Sequence, residues 1–211
     1  MKANIEQWTI VVTGEWNVNI FKPEWLAKYI FETNKIDIEM AIAPGRQIMR
    51  LLLDDFILIP STERLVLGFK NTSRETLKMG EQYIIKILDM LKHTPISGMG
   101  VNFGFYEPSP NTFLLDLFKL QDVNRLSKNE YQVSRTEIIR SIALKDTLLN
   151  VNHIYDNGEV YINMNYHHDI IVSEMLCEKM HDQVLAYHDH SLKYIKDIYD
   201  TVMEEGIGEN D

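Results

Sequence analysis

The chain has 211 residues, with 21 Lys and Arg against 31 Asp and Glu, a formal charge of −10. Such a surplus of carboxylates excludes a generally basic nucleic-acid binder, because neutralising phosphates needs Lys and Arg. With 45% apolar, 25% charged and 10% aromatic residues, the composition is that of a folded globular protein able to bury a sizeable core. The one cysteine, Cys177, excludes an intramolecular disulfide, and no stretch of about 18 uninterrupted apolar residues offers a membrane span. The expectation is a soluble, cytoplasmic, untargeted protein.

In chain order, Trp8 to Trp16 is rich in β-branched and aromatic residues and reads as a strand. Pro23 opens a short helix with Trp25, Leu26, Tyr29 and Ile30 on one face. Ile36 to Ala43 alternates Ile36, Ile38, Met40 and Ile42 with Asp37 and Glu39, a half-buried strand. Pro44-Gly45 turns the chain, and Gln47 to Pro60 reads as two strands broken at Asp54-Asp55. Leu65 to Phe69 is a further strand, and Ser73 caps a helix that runs to about Lys92 and stops before Thr94-Pro95. The same order then recurs: a strand at Ile96 to Tyr106, a short helix at Asn111 to Leu120, and strands at Tyr131 to Leu144 and Thr147 to Tyr155. Asp156-Asn157-Gly158 signals a tight hairpin into a strand at Glu159 to Tyr166. Ile170 to Met203 reads as one long amphipathic helix with Val172, Leu176, Met180, Val184, Ile195, Ile198 and Val202 on its buried stripe.

Two units, 1–95 and 96–211, therefore each read strand, short helix, antiparallel strands, long helix. Thr13-Gly14-Glu15-Trp16 aligns with Phe103-Gly104-Phe105-Tyr106, and Arg64 to Phe69 with Glu159 to Met164, as expected of an internal duplication. The fold class expected is α+β: one curved antiparallel sheet with two long helices on one face, both units in one compact domain. This order resembles the saddle topology of TATA-binding-protein-like folds, and Glu178-Lys179-Met180-His181-Asp182 resembles the tail of a sporadically distributed bacterial family with no assigned activity. The resemblance implies a fold and no activity, since function resides in sites rather than in folds. It does not bring DNA binding with it, because the strands lack the basic and wedge residues of a minor-groove saddle.

Candidate chemistry is sparse. Gly98, Gly100 and Gly104 lie inside an alternating strand that follows a helix, whereas a phosphate cradle needs a glycine turn leading into one. Six of seven histidines fall in the last third of the chain. A metal site would have to bring His153, His167, His168 and His181 together across a helix-sheet contact. Asp54 and Asp55 are adjacent on an extended chain and point to opposite faces, which favours a turn over a catalytic pair. No nucleophile elbow is present, and no cofactor is expected.

The leading expectation is a non-enzymatic interaction protein, an adaptor, inhibitor, or immunity or antitoxin-like component, acting through a protein partner or a second copy of itself. The alternatives are a metal-dependent hydrolase using the histidines above and a small-ligand binder in a cup between sheet and helices. Aromatic residues on an exposed strand face, Trp8, Trp16, Phe103, Phe105, Tyr161 and Tyr166, are candidate anchors, with Trp16 and Tyr161 foremost. Residues 1–95 hold 12 basic and 12 acidic residues, while 169–211 hold 3 and 11. Glu174, Glu178, Asp182 and Asp189 are thus candidates for docking a basic partner.

Overall fold

The computed structural model describes residues 1–43, 46–169, 180–201, 203 and 204. β1 (Lys2–Ala3) leads through a single helical turn at Ile5–Gln7 to β2 (Thr9–Gly14). Pro23 presets the backbone of α1 (Pro23–Leu26), which widens into a π turn at Ala27–Phe31 and ends at Glu32 with φ 51°. The strands β3 (Asp37–Ala43), β4 (Arg46–Leu52), β5 (Phe56–Pro60) and β6 (Arg64–Phe69) precede α2 (Arg74–Met90). Ser73 caps α2 as expected, its hydroxyl accepting from the Thr76 amide. After β7 (Ile96–Glu107), α3 (Thr112–Asp116) and α4 (Val123–Lys128) cross to β8 (Arg135–Ala143), β9 (Leu148–Asp156) and β10 (Glu159–Asp169). The β9–β10 turn has Asn157 at φ 48° and Gly158 at φ 99°, the positive values that a tight primed hairpin demands. The last described helix is α5 (Gln183–Tyr199).

The fold is α+β. Among the described residues all ten strands join one curved antiparallel sheet in the order β3-β4-β5-β6-β2-β7-β10-β9-β8, with β1 also on β7. The first and second units meet where β2 pairs with β7, from Thr9 opposite Asn102 to Thr13 opposite Gly98. Successive side chains on a strand point to opposite faces, and here the two faces have opposite chemistry. One carries Ile10, Val12, Leu65, Leu67, Phe69, Met99, Val101, Phe103, Phe105, Val160, Ile162, Met164 and Tyr166, all buried. The other carries Thr9, Val11, Thr13, Gly98, Gly100, Asn102, Gly104, Tyr161, Asn163 and Asn165, and among the described residues no long helix lies over it.

The long helices α2 and α5 cover the apolar face and run antiparallel. Their contact is held at two points more than one hundred residues apart in sequence. Arg74 donates to both oxygens of Asp189, at 2.5 and 3.0 Å, and buried Glu81 accepts from the backbone N–H groups of Asp182 (2.7 Å) and Val184 (2.8 Å). A helix start leaves N–H groups without partners. Asp182, at φ 59°, does not cap α5 with its own side chain, so Glu81 of the neighbouring helix does so instead. Close approach of α2 to the sheet depends on Gly80, where a Cβ would stand 2.5 Å from Phe69 Cε1 and 3.2 Å from Phe56 Cε1.

Several expectations are corrected. The single helix from Ile170 to Met203 is interrupted, because Asp182 adopts a left-handed conformation before α5 and Asp200 another after it; Val172, Leu176 and Val202 lie outside the described residues. Met180, Val184 and Ile195 are buried as expected, but Ile198 is 48% exposed. β3 is an edge strand whose Ile38, Met40 and Ile42 are 52%, 53% and 85% exposed. Its alternation was real, yet the helix layer does not extend over it. The alignment of Thr13 with Phe103 is one residue out of phase, as Thr13 faces away from the helices and Phe103 towards them. A shift of one residue exchanges the faces of a strand. Helix α4 was not anticipated: none of its residues is buried, and so it lacks an apolar stripe strong enough to read.

Two stability measurements follow from the helix layer. Gly80→Ala is expected to destabilise by about 1–3 kcal/mol through the clash with Phe69, more than offsetting the roughly 1 kcal/mol gain in helix propensity, with denaturant melts as the readout. Glu81→Ala leaves two N–H groups at the start of α5 without their acceptor. It is expected to lose about 1–3 kcal/mol, and amide exchange at Val184 is expected to accelerate more than exchange in β7.

Candidate functional site

The uncovered face of the sheet carries a row of neutral polar side chains set by strand register. Ser141, Asn150, Asn165, Asn102 and Thr9 stand opposite one another in turn on β8, β9, β10, β7 and β2. Ser141 Oγ donates to Asn150 Oδ1 (2.7 Å), Asn150 Nδ2 to Asn165 Oδ1 (3.3 Å), Asn165 Nδ2 to Asn102 Oδ1 (2.7 Å), and Asn102 Nδ2 to Thr9 Oγ1 (2.9 Å). The relay crosses five strands in one direction, which fixes the rotation of each amide. Asn150 and Asn165 each use one N–H and one lone pair and retain one of each, whereas the Asn102 amide nitrogen also donates to the Thr9 carbonyl at 3.5 Å and so keeps only a lone pair.

A second row lies two residues along the strands, with Ile139, Asn152, Asn163 and Gly104 in register on β8, β9, β10 and β7. Asn152 Nδ2 donates to Glu137 Oε1 at 2.5 Å. Asn152 Oδ1 and Asn163 Oδ1 are buried and accept no hydrogen bond from any described residue. Buried acceptors left unpaired cost about 1–3 kcal/mol each, a penalty that functional sites tolerate and cores seldom do. Between the rows is a hollow of about 390 Å³, lined by Gln7, Thr9, Asn102, Ile139, Asn150, Asn152, Asn163 and Asn165, with Phe103 and Met164 also contributing. Glycines give the amides room. At Gly100 a Cβ would stand 2.6 Å from Asn165 Nδ2, and at Gly104 one would meet Gln7 Cβ at 2.4 Å.

Next to the hollow, on the same face, Tyr161 stacks on Tyr106 with ring centroids 6.2 Å apart, and its hydroxyl donates to Glu159 Oε2 at 2.5 Å. Tyr161 is half-buried on the face away from the helices. Trp16, expected on an exposed strand face, is buried, packs on Phe21 and donates from Nε1 to the Val12 carbonyl at 3.1 Å. Trp8, Phe103, Phe105 and Tyr166 are likewise on the helix-covered face, because their parity on β7 and β10, and Trp8's place before β2, turn them inward.

The acidic docking residues are divided. Glu174 and Glu178 lie outside the described residues. Asp182 is exposed at the start of α5, while Asp189 is paired with Arg74, whose hydrogen bonds hold its carboxyl below the usual range. Nor are the four candidate metal ligands gathered. His153 is buried beneath α5, with its ring nitrogens on the Ile138 carbonyl and the Tyr199 hydroxyl. His168 bonds the Tyr187 hydroxyl at 2.7 Å, and it lies on β10 six residues beyond Ile162, the partner of His153, a separation of about 20 Å. His167 points to the other face and bonds Asp169. His181 is exposed in the turn before α5. Among the described residues no three His, Cys, Asp or Glu side chains are grouped to hold a metal ion, and no helix is long and apolar enough to cross a membrane. Asp54 and Asp55 form the β4–β5 turn, with Asn71 Nδ2 donating to Asp55 Oδ1 at 2.6 Å. A second hollow, about 520 Å³, lies between α3–α4 and β8–β9 and is lined by Leu115, Phe118, Val123, Val133 and Tyr155 among others.

The asparagines were not singled out from sequence. The available signal was the alternation of Asn163 and Asn165 with Ile162 and Met164, and of Asn150 and Asn152 with Leu149 and Val151, but strand polarity alone reads as a solvated side.

Titratable groups held in the helix-sheet layer set the expected pH dependence of stability. Burial is the main cause holding His153, His188 and His190 below the ordinary imidazole value. The unfolded chain therefore binds protons first, and the stability these groups contribute is complete above about pH 6.5 and lost as pH falls towards their lower folded values. Glu81 acts in the opposite sense, since burial raises its carboxyl and its contribution is lost as pH rises from about 4.5 through that raised value. With three imidazoles against one carboxyl, Tm is expected to fall between pH 7 and pH 5.5 and to fall less in His188→Gln. A flat or rising profile would contradict burial of these rings. No protein-family model matches the chain, and comparison with curated proteins finds no match.

Proposed function

We propose that the protein is a non-enzymatic binding protein whose recognition surface is the uncovered face of the sheet. The observation that carries this reading is the hydrogen-bonded row from Ser141 to Thr9. A strand face that merely meets solvent has no need of a rigid, five-strand array of mutually oriented amides, nor of two buried carbonyl acceptors beside it. Prearranged polar groups of this kind lower the ordering entropy lost on association. The acidic face around Asp182 supports docking of a basic partner less well, because Asp189 is already paired. The dispersed histidines lend the hydrolase reading no support.

The strand order, running outward from the β2–β7 pair through β6 to β3 on one side and through β10 to β8 on the other, supports a duplicated origin for units 1–95 and 96–211 and a likeness to saddle folds. In such an arrangement the uncovered face is one continuous surface to which both units contribute.

Photo-crosslinking residues placed at Asn165 on this face and at exposed Lys193 on α5, in the full chain inside its native cell, test the reading. Discrete adducts from position 165 that are absent from position 193 are expected. Adducts from 193 alone, or equal labelling from both, would move the surface elsewhere.

A further inference from the structure

The hollow between the two asparagine rows defines the chemistry of what it accepts. Each group on its open-face lining is an amide, a hydroxyl or an aliphatic carbon. Glu137, beside the hollow, accepts from Asn152 and is already ion-paired with Arg135. A phosphate, carboxylate or ammonium ligand would enter without a counter-charge, and stripping water from an unpaired charge is strongly unfavourable. The occupant is therefore neutral.

It must also supply hydrogen-bond donors. Asn152 Oδ1 and Asn163 Oδ1 stand buried without partners among the described residues, and the terminal torsion of an asparagine is soft enough for an arriving donor to draw either oxygen towards the hollow. Asn150 and Asn165 each present one free N–H and one free lone pair, and Asn102 a free lone pair. Adjacent hydroxyls, each donor and acceptor at once, match that pattern. A flat heteroaromatic base is a poorer fit, because among the described residues no aromatic ring is available inside the hollow to stack on it. Phe103 lines it from a strand whose Phe103 side chain is buried under the helices, and the Tyr106–Tyr161 pair lies outside the lining. An extended peptide pairs at the edge of a sheet rather than on its face. Ile139, 65% exposed on β8, offers an apolar contact for ring carbons at one end.

Building on the binding-protein reading, we infer that this hollow is a saccharide site, in which Asn102, Asn152, Asn163 and Asn165 bond adjacent hydroxyls of a neutral sugar of one or two rings. The 390 Å³ volume lies within the range of small-molecule sites.

Saturation-transfer NMR with the full chain tests this, using three probe sets at millimolar concentration: neutral sugars (glucose, galactose, mannose, N-acetylglucosamine, maltose and cellobiose), the nucleosides adenosine and cytidine, and glycylglycine. Transfer to at least one sugar is expected, reduced tenfold or more in Asn163→Ala and in Asn152→Ala and unchanged in Lys193→Ala. Each variant is first checked for an unaltered amide spectrum, and Asn102→Asp, which places a charge in the row, serves as a second test should an alanine variant unfold. No transfer to any sugar, or transfer unaffected by these substitutions, overturns the inference. Transfer to the nucleosides or the dipeptide alone overturns the saccharide class while leaving the uncovered face as the binding surface. Failure of that broader reading would appear separately, as crosslinks from α5 and none from position 165.

Discussion

The pairing of β2 with β7 is the contact on which everything else depends. β2 belongs to the first unit and β7 to the second, and their registered hydrogen bonds, with the short β1–β7 pairing beside them, make one sheet of the two. Trp8 reinforces the seam. Fully buried, it donates from Nε1 to the Gly104 carbonyl at 2.8 Å and packs edge-on against Phe103, with its ring centroid 5.2 Å from that of His188 on α5. One side chain thus ties the start of β2, the middle of β7 and the helix above them. Without that seam neither long helix has a sheet wide enough to cover, and Thr9 no longer completes the asparagine relay.

The two faces of the sheet are consequences of one another. Apolar residues at alternate positions are driven beneath α2 and α5, and the intervening positions are thereby committed to the opposite face, where nothing in the fold requires them to be apolar. Asparagine and threonine at those positions are compatible with solvent. Their alignment into a single bonded row is a stronger condition, since it needs the registers of four successive strand pairs to agree. The glycines of β7 serve the same surface, because a side chain at Gly100 would displace the Asn165 amide from the relay.

The helix layer is held by packing and by a small number of costly polar contacts. Glu81 stays buried at the start of α5 although burial disfavours its charge, because its two oxygens accept from the backbone N–H groups of Asp182 and Val184. Tyr187 stacks on Tyr166 with centroids 4.3 Å apart, and the Tyr166 hydroxyl meets His190 and Ser191. These hydroxyls and the half-buried His190 imidazole are bonded to one another. Four of the histidines that crowd the last third of the chain, His153, His168, His188 and His190, thus take part in the packing between sheet and helix.

Much of the architecture could be read directly from the chain. Strand alternation in Val160, Ile162 and Met164, the Ser73 cap and the Asn157-Gly158 turn are local features, governed by backbone geometry and by side-chain parity, and each is found where its residues predict it. The α+β class follows from their order. What lay beyond the sequence were the choices that depend on distant partners: that Ile38, Met40 and Ile42 of an amphipathic strand would stand at an uncovered edge, that Asp182 would break a helical pattern because Glu81 is present to cap the next one, and that Asn102, Asn150 and Asn165, up to 63 residues apart, would meet in one row. Alternation by itself determined which residues share a face. Only the tertiary structure decided which face the helices cover and which residues on the other face become neighbours, because register between strands is a long-range property that no local pattern encodes.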